Sequence, residues 1–210
     1  MSTLSLFLGL GNPGAPYAHT RHNFGFFLAD ALVEHCDRKG VLAPVSGVKN
    51  KFQAWKCVLP DSADSWIVAK PLTFMNNSGE AAVHLLHYYR IPIERLFVAH
   101  DELDLPFGRM RLKFAGGAAG HNGIRSICEL TGSADFYRLR LGIGKPGEGN
   151  VLSHVLRPFS EYEQTRICLV VEAALRTFLL FAEQGFQVAR HMANAFSLAD
   201  DTIREDTTAL

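Results

Sequence analysis

The chain has 210 residues, 48% of them hydrophobic, and its 21 Lys plus Arg are balanced by 21 Asp plus Glu. That length supports a single domain with a substantial core, and zero net charge excludes a general pull toward nucleic acid or membrane, so any such attraction has to come from a local patch. The four cysteines, Cys36, Cys57, Cys128 and Cys168, form no CxxC pair and no zinc-type spacing, which reads as a reduced intracellular protein with its thiols buried as small hydrophobes.

No basic segment followed by a long apolar run opens the chain, so no secretory signal is expected. A strand is expected at residues 4 to 11, then a turn with Pro13, Gly14 and Pro16, then a helix from Phe24 to Cys36. Residues 51–59 and 65–70 read as two strands around the polar turn 60–65, and 77–90 as a helix whose His84 and His87 form a polar face while Leu85 and Leu86 point to the core. Leu96 to His100 is a short apolar strand ending at Asp101, and Arg109 to Phe114 alternates as a half-exposed strand should. The glycine-rich stretch 115–120 leads to a helix at 122–131 and a strand at 137–144. Ser160 with Glu163 spells a capping box, which predicts one long helix from there to Gly185, followed by a second helical piece to Phe196. Its most apolar part, Ile167 to Ala182, carries Glu172 and Arg176 and is short for a membrane span, so it is expected in the core. Together these predict an α/β fold: one domain over residues 1–196, a central mixed β-sheet with helices on both faces, and a polar, frayed tail at 197–210.

GLGNPG, residues 9–14, matches the dinucleotide fingerprint letter for letter. That fingerprint needs a helix opening at its glycines, and here Pro13 and Pro16 bias Asn12 and Ala15 away from helical geometry. The informative features lie around it: Asn12 at the strand end, Tyr17, RHNFG with His22, FMNNSG at 74–79, HDELD at 100–104 and GHNG at 120–123. All fall where strands end or helices begin, where ligands bind in open α/β sheets. Amides, histidines and a carboxylate suit hydrolysis of an activated carbonyl: a neutral histidine as base, a carboxylate fixing its tautomer, and asparagine N–H groups for a developing oxyanion. There is no G-x-S-x-G elbow and no cysteine in these motifs, so water is the expected nucleophile. No H-E-x-x-H occurs, and no catalytic metal is expected.

Four motifs, GLGNPG with Tyr17 and RHNFG, PLTFMNNSG, VAHDELDLP and GHNG, resemble in order and spacing those of the bacterial-type peptidyl-tRNA hydrolases, over nearly the whole chain to Phe196. The resemblance implies a monomeric, cofactor-free, cytoplasmic hydrolase that cleaves the ester between a peptide and the 3′ ribose of tRNA, recycling the tRNA. It further implies His22 as general base, Asp101 as its orienting carboxylate and Asn12 beside the scissile carbonyl. Asn76 and Asn122 would position the peptidyl or terminal adenosine part, Tyr17 and Phe74 would line the cleft, and Met75 and His121 would contribute nearby. The loop at 115–120 would gate the cleft, although Ala118 and Ala119 stand where the family carries glycine or histidine. Independently of the family, residues 109–157 hold eight Lys or Arg against three acids, a candidate phosphate-binding face with Lys113 and Arg140 as expected contacts. The alternative reading is a non-catalytic RNA-binding protein of the same fold.

Overall fold

The computed structural model describes residues 3–45, 51–59, 62, 64–147 and 150–198. Among them a seven-stranded sheet runs in the order β2-β3-β4-β1-β5-β7-β6, with β1 (Thr3–Gly9), β2 (Leu42–Pro44), β3 (Phe52–Val58), β4 (Asp64–Pro71), β5 (Leu96–Glu102), β6 (Met110–Phe114) and β7 (Tyr137–Gly142). The central pairs β4-β1, β1-β5 and β5-β7 are parallel, and the outer pairs β2-β3, β3-β4 and β6-β7 are antiparallel.

Burial on both faces explains the largely apolar runs of β1, β4 and β5. Phe7, Val68, Phe97 and Leu139 enter one core, against α1 (Phe24–Arg38), α6 (Ile167–Gln184) and α7 (Phe186–Ala195). Their alternating neighbours Leu6, Leu8, Ile67 and Val98 enter the other, against α2 (Ser78–Tyr89) and α3 (Asn122–Thr131). On α2, Leu85 and Leu86 are buried, whereas His84 is half-buried and His87 exposed, which is the amphipathic division expected from the sequence.

Two small elements escape the sequence: β2, whose three residues are too few for alternation to register, and α4 (Val151–Val155), capped by Asn150 Oδ1 accepting from the Leu152 N–H at 2.7 Å. The single long helix expected from Ser160 is instead two. The capping box is present, but it serves the one-turn α5 (Glu161–Gln164), and the chain steps at Arg166 (φ −120°) before α6 begins. Glu163 also reaches Arg21, and Gln164 Nε2 donates to the Phe159 carbonyl at 2.6 Å. The ties of α5 therefore run back to loops, while α6 packs on the sheet, and the step separates the two. All four cysteines are free, but only Cys36 and Cys57 are buried; Cys128 is half-buried and Cys168 exposed on α6.

Ser197 bridges to Arg109, and Leu198 is buried with its N–H donating to the Gly108 carbonyl at 3.0 Å, so the packed body extends two residues past Phe196. The remaining tail from residue 199, and Pro60, Asp61 and Ala63 of the expected polar turn, lie outside the described residues. No described helix is long and apolar enough to cross a membrane.

After GLGNPG the first α-helix begins only at Phe24, following 3-10 turns at Ala15–Tyr17 and Arg21–Asn23, so no α-helix opens at the glycines themselves. Gly9 has another use: a Cβ there would lie 2.3 Å from the Gly25 carbonyl oxygen, and one on Gly25 would lie 2.3 Å from that of Ala99. The glycines let α1 approach β1 and β5 closely, which brings the preceding turn over the strand ends.

Candidate active site

Asp101 is the next-to-last residue of β5 and is almost fully buried. His22, in the 3-10 turn ahead of α1, donates from Nδ1 to its carboxylate, at 2.9 Å to Oδ1 and 3.1 Å to Oδ2. From the other face of the sheet comes His121, the N-cap of α3. Its Nδ1 accepts from the Ile124 N–H at 3.3 Å, so its proton sits on Nε2 and is donated to Asp101 Oδ1 at 3.0 Å. One carboxylate thus receives two imidazoles. The same logic fixes His22 with its proton on Nδ1, leaving Nε2 with no partner among the described residues.

The electrostatics follow from this clamp. Burial would push the Asp101 carboxyl up, but the charges of His22 and His121 and the hydrogen bonds from both hold it well below the usual carboxylate range. Burial pulls the His22 imidazole down, yet the Asp101 charge and hydrogen bond together outweigh it and leave His22 above its ordinary value. His100, fully enclosed behind His121 with ring centroids 4.7 Å apart, is driven far down by burial and then by His121, and stays neutral with Nδ1 donating to the Asp101 carbonyl at 2.7 Å.

Asn12 is buried at the end of the β1 segment and fixed from three sides. Its N–H donates to Asn23 Oδ1 at 2.7 Å, its carbonyl accepts from Asn23 Nδ2 at 3.0 Å, and its Oδ1 accepts from the Met75 N–H at 2.7 Å. Because Oδ1 is engaged, Nδ2 is the end of the amide that remains to donate to a ligand. Tyr17 and Phe74 meet edge to face with centroids 6.1 Å apart, and Phe74 is 55% exposed, an aromatic wall rather than core. Asn76 and Asn122 are both exposed, the first beside Met75 and the second opening α3. Met75 itself is buried and acts through its backbone and through contact with Gly123, where a Cβ would lie 2.6 Å from its Sδ. The structure therefore ties Asn12, Met75 and the start of α3 together, ties His22, Asp101 and His121 together, and joins the two groups through Asn23, the neighbour of His22.

Sequence reasoning did not single out Asn23 or Arg21, although both lie inside RHNFG. Arg21 is buried, donating from Nη1 to the Pro158 carbonyl at 2.7 Å and from Nη2 to Glu163 Oε2 at 2.6 Å. His22, Asp101 and His121 are also the one group among the described residues with three potential metal-ligand atoms close together, within 4.8 Å. Both imidazole nitrogens that face the carboxylate are already its hydrogen-bond donors.

On the outer strands, Arg111 lies opposite Arg140 and Lys113 opposite Arg138 in the β6-β7 register, so four cations share one sheet face. Like charges directly opposite are unfavourable without an anion between them. Arg140 is partly answered by Glu102, at 2.8 Å. Burial, then Arg138 and Arg140, push the Lys113 ammonium below its usual range. Arg138, counted with the phosphate-facing cations from the sequence, is a correction: its side chain is buried and turned to internal acceptors.

A family profile described as "Peptidyl-tRNA hydrolase" matches residues 6–201. The chain belongs to this family. It is 51% identical over 197 residues to a peptidyl-tRNA hydrolase of Oleidesulfovibrio alaskensis, covering 93% of this chain and 98% of that one. It is 47% identical over 199 residues to one of Nitratidesulfovibrio vulgaris, with 93% and 98% covered. Among solved structures, a crystal structure of peptidyl-tRNA hydrolase from Acinetobacter baumannii superposes with a TM-score of 0.82 at 36% identity, covering 94% of this chain and 98% of that one.

Proposed function

We infer that the protein hydrolyses the ester between a peptide, or an N-blocked aminoacyl group, and the 3′ ribose of tRNA, with His22 as general base. The observation that carries the assignment of roles is the clamp on Asp101: a buried ionised carboxylate that fixes the His22 tautomer and leaves its Nε2 lone pair to meet a water. That nitrogen takes a proton from water as the oxygen attacks the ester carbonyl, and Asp101 stabilises the imidazolium so formed. The oxyanion collects charge that the Asn12 Nδ2 donor can meet without adding a full charge of its own. Collapse then breaks the bond to the 3′ oxygen, which takes a proton back from the imidazolium, giving free tRNA and free peptide. No step requires a metal or cofactor.

Tyr17 and Phe74 supply the aromatic wall of the cleft, and the exposed amides of Asn76 and Asn122 hold the peptidyl or terminal adenosine part. The strip of Arg111, Lys113 and Arg140 receives backbone phosphates, which the opposed like charges favour. The protein works as a cytoplasmic monomer, with one domain whose packed body runs on through Leu198.

The deciding experiment is release of N-acetyl-aminoacyl groups from tRNA in the presence of a chelator, with free aminoacyl-tRNA alongside. Turnover of the blocked substrate and little of the free one is expected. Tight tRNA binding without turnover would leave an RNA-binding protein in its place.

A further inference from the structure

Arg138 extends from β7 into the interior with 1% of its surface exposed, among the largest fully buried side chains. Among the described residues no carboxylate pairs with it. A guanidinium removed from water without a counter-charge is unfavourable, and an apolar side chain of similar length would serve a core at least as well. What Arg138 holds is backbone. Nη1 donates to the Gly117 carbonyl at 2.7 Å, and Nη2 donates to the Ala134 carbonyl at 3.3 Å and lies 3.7 Å from Cys128 Sγ. The charge lies over the Phe136 ring, 4.4 Å from its centroid.

Gly117 is the middle of the 115–120 loop, and that loop is not shaped by its own preferences. Ala115 (φ 58°) and Ala119 (φ 48°) both sit in the left-handed region, which side chains with a Cβ disfavour. The loop's ends are fixed by the Ala115 N–H on the Phe136 carbonyl at 3.0 Å and the His121 N–H on the Ala118 carbonyl at 2.9 Å. The next side chain along is His121, which reaches Asp101.

We propose that Arg138 is a positioning residue for the hydrolytic site: by gripping the Gly117 carbonyl it holds the 115–120 loop in the shape that delivers the His121 imidazole to Asp101. It touches neither substrate nor reacting atoms, and the proposal rests on the hydrolase reading above. Its consequence is electrostatic. His121 takes part of the Asp101 charge through its hydrogen bond, so His22 feels the remainder. Asp101 and His121 face His22, with the Arg21–Glu163 pair beside it; His100 faces His121; Cys128, Lys113 and Arg140 surround Arg138. If the loop relaxes and His121 withdraws, Asp101 bears more strongly on His22, the imidazolium is favoured, and the acid limb of the rate profile moves to higher pH.

The test compares wild type, R138M and R138K in release of N-acetyl-aminoacyl groups from tRNA across the histidine pH range, with thermal unfolding measured in parallel. R138M is expected to unfold close to wild type, to keep KM, to lose roughly tenfold in kcat through misplacement of the site, and to show the acid limb displaced upward. R138K, with its charge but without the fork, should fall between. In an H121N background R138M should add no further shift, because its route to His22 is already cut. Wild-type kcat and acid limb in R138M, or the same fall with and without His121, would overturn the proposal. Should R138M fail to fold, the R138K acid limb decides in the same way. Absence of release by wild type would instead sink the hydrolase reading and this one with it.

Discussion

The two histidines on Asp101 come from loops that are built in opposite ways. His22 lies in a turn closed on every side. The Arg21 N–H donates to the Arg157 carbonyl, Thr20 bridges to Pro158, Asn23 locks the Asn12 backbone, and Arg21 makes an ion pair with Glu163 in which both side chains are about nine-tenths buried. His121 follows a glycine-rich loop, largely exposed, with two alanines in left-handed conformations and a buried arginine gripping its midpoint. The proposed base sits in a turn tied at several points, whereas the second donor to the carboxylate hangs on an exposed segment gripped at its midpoint by one buried side chain. A general base tolerates little displacement, since the reaction requires near-attack geometry at one nitrogen. The second donor acts on this nitrogen only through the carboxylate, by its placement and by the charge it leaves there.

The comparison breaks most sharply at His22. His22→Ala removes the proposed general base and is expected to lower kcat by about 10²–10⁴-fold, the usual worth of a positioned base, with tRNA affinity retained in a filter-binding assay. A variant with full turnover would show that another group activates water. Next in size is Asp101→Asn. Asp101 holds the His22 pKa above its ordinary value against burial. The base must be neutral to act, so in wild type the rate falls as pH drops through that raised pKa. Without the carboxylate, burial prevails, and the acid limb should move to lower pH while kcat falls by roughly 10²-fold for want of tautomer control and imidazolium stabilisation. An acid limb that stays put in the pH profile would mean that Asp101 does not set the His22 pKa.

A third break acts on the turn rather than the base. Glu163→Gln keeps an amide oxygen for the α5 capping box but leaves Arg21 without its counter-charge. Removing one partner of a largely buried pair costs about 3 kcal/mol, which in a chain of this size lowers Tm by several degrees, with a kcat loss well below that of Asp101→Asn. Calorimetry that found no change would show that the backbone ties alone hold the turn.

Glu163 also shows what the sequence could and could not disclose. Its capping box with Ser160 was legible because both partners sit three residues apart, but its other partner, Arg21, is 142 residues away, and no local pattern reports that. The break after α5 was missed for the same reason: a capping signature marks where a helix starts and says nothing of where it steps. That Asn12, His22 and Asp101 lie near one another was readable because each falls in a short motif where a strand ends or a helix begins. Arg138 was misread. In Tyr137-Arg-Leu-Arg it has the alternation of a solvated strand face, yet the 115–120 loop supplies an internal acceptor at Gly117, and Cys128 on α3 lies beside it. That burial is a tertiary event with no trace in the period of the strand.

The smallest expected effect tests the looser side of the comparison. Ala119 sits at φ 48°, where an L-residue is strained by about 1–2 kcal/mol relative to the right-handed region. Replacing it with glycine relieves that strain in the folded chain, but it also gives the unfolded chain more freedom, at a cost of about 0.4–1 kcal/mol. The two nearly cancel, so Ala119→Gly should leave Tm within about 2 °C of wild type, with a small rise favoured. Ala118 beside it packs on the second core and keeps the loop seated, and the Arg138 grip on Gly117 is unaffected. Turnover of N-acetyl-aminoacyl-tRNA should therefore change by no more than about twofold, small beside the effect of misplacing a reacting group. A large loss of activity at unchanged Tm would mean that the loop's own backbone, and not the arginine beneath it, delivers His121 to the carboxylate.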